Sequence, residues 1–198
     1  MVFDGIIFSI IIGFFRKGSL RSFATLKFKW GWMFPLLLAI ELLVFLFQND
    51  SKLLGQTSGA IYMLVYVVGL IFLMANRKKE GFTVIFIGVF LNFLVMIVNG
   101  GRMPVSGEAA TVLSPEYIQY LKNGHYAKHQ LMTESAHLKF LGDIIPLSKP
   151  YPRTQIISIG DVVMNIGVFL FIQNIMVGRR NENNNTRKSL SLKGGEAK

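Results

Sequence analysis

Cysteine is missing from this chain altogether. That excludes thiol nucleophiles, thiolate metal sites and disulfides in one step, and it leaves the redox compartment open. Acidic residues are scarce as well: 11 Asp and Glu face 21 Lys and Arg in 198 residues. Charged residues of both signs make up only 16 %, against 52 % hydrophobic. A soluble domain of this length needs more polar surface than that composition supplies, whereas a bilayer removes the need. The formal charge of +10 does not point to nucleic acid. The basic residues flank apolar runs instead of forming one face with interleaved aromatics, so membrane lipids are the expected partners.

Five apolar segments divide the chain, at residues 1–15, 30–47, 57–75, 82–98 and 156–177. Read as spans, they predict an all-α integral membrane helical bundle over residues 1–178. A long outer loop, 99–155, carries short helices, and 179–198 is expected to be a disordered cytoplasmic tail. Arg16 and Lys17 follow the first run instead of preceding it, the reverse of a secretory signal, so that run is expected to be retained with its start outside. At about 1.5 Å per residue it reaches only ~22 Å, short of a ~30 Å hydrocarbon core; a re-entrant or interfacial helix is the alternative. Fourteen Lys and Arg fall in 16–29, 76–81 and the tail, against seven on the other side. The predicted location is therefore the cell membrane, amino terminus outside and carboxyl terminus cytoplasmic.

Within the spans, Glu41 is costly unless it has a partner, which makes it a functional candidate as well as a structural one. Gly88, Asn92 and Asn99 share one helical face that should look at protein, because an amide needs a partner away from lipid. Asp161 and Asn165 stand one turn apart at the start of the last span. The basic segment 16–29, with Leu20, Phe23, Leu26 and Phe28 between its charges, suits an anionic lipid surface, as a sensor or as a simple topology anchor. Trp30 and Trp32 belong at the same interface.

The outer loop is too long to be idle connection. Ser114-Pro115-Glu116 reads as a helix start and Gly124 as its stop; a second helix is expected over 129–141. Asn99-Gly100-Gly101-Arg102 reads either as a turn whose N–H groups and Arg102 meet an anion, or as a helix C-cap followed by a snorkelling Arg. His125 and His129 share a face if that stretch is helical, with His137 nearby, but no third ligand has diagnostic spacing, and no metal is predicted. Asp143 and Asp161, each beside an apolar run, could form a proton-sharing pair or act as separate caps. A serine triad on Ser106 or Ser158 lacks every supporting motif.

N-G-G-R-M-P-V at 99–105, L-G-D-I-I-P at 141–146 and S-I-G-D at 158–161 resemble an uncharacterised bacterial family of small multi-pass membrane proteins, over nearly the whole chain to Gly178. That resemblance implies fold and location and no activity. The last third is also similar to lipoprotein signal peptidase, in which Asp143 and Asp161 would match an intramembrane aspartyl dyad. Gly160 stands where Ala is usual and Ser158 where Asn is usual, the Asp-Arg pair is absent, and there is an extra span. The expected function is binding of a lipid headgroup or other amphipathic ligand by Asn92, Asn99, Arg102, Ser158 and Asn165, between spans four and five. A membrane-protein partner is the other form of that reading. The alternative is hydrolysis by Asp143 and Asp161, so whether the chain is an enzyme stays open, and no cofactor is expected. Ion-coupled transport through Glu41 is a third reading, against which the lack of an internal repeat counts.

Overall fold

The computed structural model describes residues 2–47, 52–122 and 128–195. Apolar runs without interior breaks form helices α1 (Val2–Phe15), α2 (Met33–Phe47), α3 (Lys52–Ala75), α4 (Phe82–Ile97) and α6 (Ile159–Gly195). Between α4 and α6 lies a cap that contains the short helix α5 (Pro115–Lys122) and four three-residue strands. Strand β1 (Met103–Val105) pairs in parallel with β2 (His129–Leu131), Met103 opposite His129. Strand β3 (Ile145–Leu147) pairs antiparallel with β4 (Gln155–Ile157), Ile145 opposite Ile157.

Glycines set the helix contacts. A methyl group on Gly88 would strike the backbone of Gly160 and Met164, and one on Gly167 would strike Ile85, so α4 and α6 run antiparallel with their backbones touching. Helix α1 runs parallel to α6, with Gly5 against Asn165 and Gly13 against Met176. Helix α3 lies antiparallel to α4: Gly59 abuts the Gly100–Gly101 turn at one end, and Phe72 packs with Phe82 at the other. Val44 of α2 joins Tyr62, Val95 and Met96 in one buried cluster, and Met103 and Leu141 of the cap complete it. The cap is thus seated in the bundle, not merely tethered to it.

Two asparagines at helix C-termini hold the two ends. The Asn76 side chain accepts from the Lys29 N–H (2.9 Å) and donates to the Lys29 carbonyl (3.0 Å). Asn99 does the same for His137, accepting from its N–H at 3.0 Å and donating to its carbonyl at 2.9 Å. One end therefore gathers the α1–α2 connector and the α3–α4 turn; the opposite end carries the cap.

Polar side chains share the interior with the apolar clusters, and many large apolar side chains also face outward. Ser9, Ser58, Asn76, Asn92, Ser158 and Gln173 are buried, while Phe8, Phe34, Leu38, Leu64, Phe90 and Ile166 are exposed. Among the described residues two helices are long and apolar enough to cross a membrane, over Thr57–Ala75 and Ile159–Gly178, and only 39 % and 33 % of those stretches are buried. Gly5–Phe15, Met33–Val44 and Phe82–Ile97 are apolar helices of shorter length.

The structure corrects two expectations. The chain is mostly helical but not all-α, because the cap builds two small sheets. Residues 129–141 are not a helix: the segment opens as β2 and ends in a 3-10 turn at Lys139–Leu141, because Val105 and Met132 pair across strands there and take the backbone groups that a helix would use. Helix α6 extends past its apolar part, which ends at Gly178, to Gly195. The helix start at Ser114-Pro115 is as expected; Gly124 and His125 lie outside the described residues.

The α4–α6 seam generates a first prediction. Replacing Gly88 by Leu should cost at least ~2 kcal/mol, as overpacking against backbone cannot relax by a rotamer change. A thermal melt of the purified protein would show a fall of several degrees; an unchanged melting temperature would place the two helices further apart.

Candidate functional site

The start of α6 is a capping box. Ser158 Oγ accepts the Asp161 N–H at 3.0 Å, and Asp161 Oδ2 accepts the Ser158 N–H at 3.1 Å, so two otherwise unpaired donors of the first turn are satisfied reciprocally. Asn92 of α4 closes this pair into a ring. Its Nδ2 donates to Asp161 Oδ1 at 3.0 Å, and its Oδ1 accepts from Ser158 Oγ at 2.8 Å. Gly160 leaves room for the Asn92 amide, which a side chain at 160 would displace. Both Asp161 oxygens are therefore engaged.

Asp143 sits above this ring, at the crossing of the cap strands. Its N–H donates to the Pro104 carbonyl and its own carbonyl accepts from the Ser106 N–H, both at 2.9 Å. Its side chain meets His129 Nε2 through Oδ2 at 3.4 Å, while Oδ1 is buried with no partner among the described residues. Burial pushes the Asp143 carboxyl above the usual carboxylate range. His129 and Lys128 pull it down, Asp161 adds to the rise, and burial prevails. Asp143 is thus in electrostatic range of Asp161. The environments differ, however: Asp161 is fully hydrogen-bonded and Asp143 is not.

Lys128 is the residue that sequence reasoning missed. It leaves the cap beside β1, where its carbonyl accepts the Met103 N–H at 2.7 Å, and its Nζ stands 4.9 Å from the centre of the Tyr66 ring. Burial opposes its charge, but the Tyr66 phenol, Glu41 and Asp161 outweigh that and leave its pKa raised. Glu41 of α2 is thus within electrostatic range of Lys128. No local pattern marks Lys128, since a lone Lys in a long loop reads as surface charge. The only signal was its indirect partner, a carboxylate inside an apolar run.

The remaining candidates divide. Asn92, Ser158 and Asp161 form one ring, with Asp143 in electrostatic range. Asn99 clamps the cap, and Gly100 and Gly101 have left-handed backbone (φ 71° and 80°), with the Gly101 N–H returning to the Met96 carbonyl at 2.8 Å. That is a helix C-cap. Arg102 is half-buried within electrostatic range of Tyr62. Asn165 is set apart: its Nδ2 donates to the Asp161 carbonyl at 2.8 Å, and it faces Gly5 of α1.

The chain belongs to DUF5317, a family of unknown function, which it matches over residues 25–173. Helix α1 lies outside that range. An uncharacterised protein of Thermotoga maritima is 36 % identical over 108 residues, covering 54 % of this chain and 60 % of the relative's length. No solved structure matches. The family is thus an uncharacterised one, as the sequence resemblance implied.

Two outcomes follow from this geometry. Asn92→Leu strands Ser158 Oγ and Asp161 Oδ1 and should destabilise by about 1–3 kcal/mol in a melt. Asp143 acts in the opposite sense. With its folded pKa above the unfolded value of about 3.9, the folded chain holds the proton more tightly, so stability is lost as pH rises from the unfolded towards the folded pKa. Asp143→Asn should raise the melting temperature at neutral pH and flatten its pH dependence above about pH 4; a fall would show that the His129 contact outweighs burial.

Proposed function

We propose that this member of the DUF5317 family is a cell-membrane protein with five spans, formed by α1 to α4 and the apolar part of α6. In this reading its amino terminus and cap lie outside and its carboxyl terminus is cytoplasmic. The cap site between α4 and α6 binds a lipid headgroup or another amphipathic ligand. The observation that carries the reading is the distribution of polarity: many large apolar side chains are exposed along the helices, while Ser9, Ser58, Asn92, Ser158 and Gln173 are buried between them and Asp143 is buried in the cap. A core helix of a soluble protein would be mostly buried, and these are not.

The site's chemistry suits a headgroup bearing both charges. Lys128 offers a cation held by an aromatic face, with Arg102 nearby, and Asp143 Oδ1 offers an acceptor that no described residue uses. Aspartyl hydrolysis is the second reading, supported by Asp143 and Asp161 lying within electrostatic range. It ranks lower because Asp161 would have to leave its capping ring to act on a substrate.

Short-chain phosphatidylethanolamine is a suitable probe, since its phosphate and ammonium match both signs. Saturable binding is expected by calorimetry, weakened about tenfold or more in Lys128→Gln and in Asp143→Asn, the scale of a charge-assisted hydrogen bond. Binding that is unchanged in both variants contradicts the assignment. Headgroup release that requires both Asp143 and Asp161 would move the protein to the hydrolase reading.

A further inference from the structure

We propose that the end of the bundle opposite the cap is a second, separate binding surface, a rigid platform for the phosphates of anionic membrane lipids. The proposal rests on the membrane reading above but not on the cap site.

The platform joins the connector 16–32 to the turn 76–81, which together hold eight basic residues and one acid, Glu80. A flexible basic loop would attract anionic lipid only diffusely. This connector is instead fixed at two points. Asn76 grips both backbone groups of Lys29. Phe28 is inserted among Phe72, Phe82 and Phe171, with ring centroids 5.8–6.1 Å away. Order of this kind is what a headgroup site needs, because the entropy of arranging the cations is lost on folding and not on binding.

The cations are placed and left unneutralised. Lys29 Nζ lies 5.0 Å from the Trp30 ring centre, and Lys79 Nζ lies 5.0 Å from that of Phe28. Among the described residues neither meets a carboxylate. An aromatic face orients an ammonium while leaving its full charge for an incoming phosphate. Trp30 and Trp32 are 46 % and 66 % exposed, the position that indole rings take at the headgroup level. Trp30 also has φ 58°, an unfavourable left-handed backbone for a bulky residue, maintained where its ring meets Lys29.

The molecule carries its own reporter, because Trp30 and Trp32 are its only two tryptophans. The full chain would be reconstituted into vesicles containing a fixed fraction of brominated phosphatidylglycerol or brominated phosphatidylcholine, and its fluorescence quenching compared. Local enrichment of the anionic lipid is expected, on the order of fivefold, as quenching in excess of the zwitterionic case. The double variant Lys29→Gln, Lys79→Gln should lose that excess but stay quenched, and the corresponding Arg pair should keep it. Equal quenching of the unmodified chain by both lipids overturns the platform and leaves the membrane reading intact. An excess that survives the Gln pair also overturns it. Absence of quenching by either lipid overturns the membrane reading and the platform with it.

Discussion

Asn92 is the point on which the rest depends. It lies inside α4, where an unpaired amide would be expensive, and its two partners, Ser158 and Asp161, are the cap of the neighbouring helix. The pairing works only because Gly88 and Gly160 let the two backbones approach to contact. That contact fixes where α6 begins, hence where the cap ends, hence where Asp143 and Lys128 stand. Hydrophobic burial alone could not specify it, since an apolar helix in an apolar surrounding gains little from sliding one way or the other. The polar ring makes a single register favourable.

The two ends of the bundle use one device for different purposes. Asn76 and Asn99, each just past the end of a helix, each satisfy both backbone groups of a distant residue, and so turn a long connection into part of the body. At the cap end this sets Lys128 over the Tyr66 ring, in electrostatic range of Glu41, and buries Asp143 with one oxygen unpartnered among the described residues. At the other end it arranges charges outward, beside exposed tryptophans.

Much of the scaffold was legible because it depends on local pattern. The spacing of Gly88 and Asn92 places both on the face of α4 that meets α6, whereas Asn99 falls past the end of the helix and meets the cap instead; Ser114-Pro115-Glu116 starts α5 as expected. Each apolar run lies in a helix, although α3 starts earlier, at Lys52, and α6 starts at Ile159 and continues to Gly195. What was illegible depends on distant pairing. Three-residue strands such as Met103–Val105 contain too little alternation to declare themselves, and Pro104 argues against a strand until β2 is seen beside it on one edge. His129 was read on a helix face and instead pairs with Asp143 from a strand. Lys128 carries no signature at all; only the folded cap turns it inward.

The absence of cysteine permits one direct test of the central claim, that the cap and the basic platform lie on opposite sides of a membrane. Single-cysteine variants Ser135→Cys, in the exposed part of the cap, and Lys78→Cys, on the platform, would be treated in intact cells with a membrane-impermeant maleimide. The account predicts labelling at position 135 without permeabilisation and at position 78 only after it. Equal labelling of both positions in intact cells would contradict it.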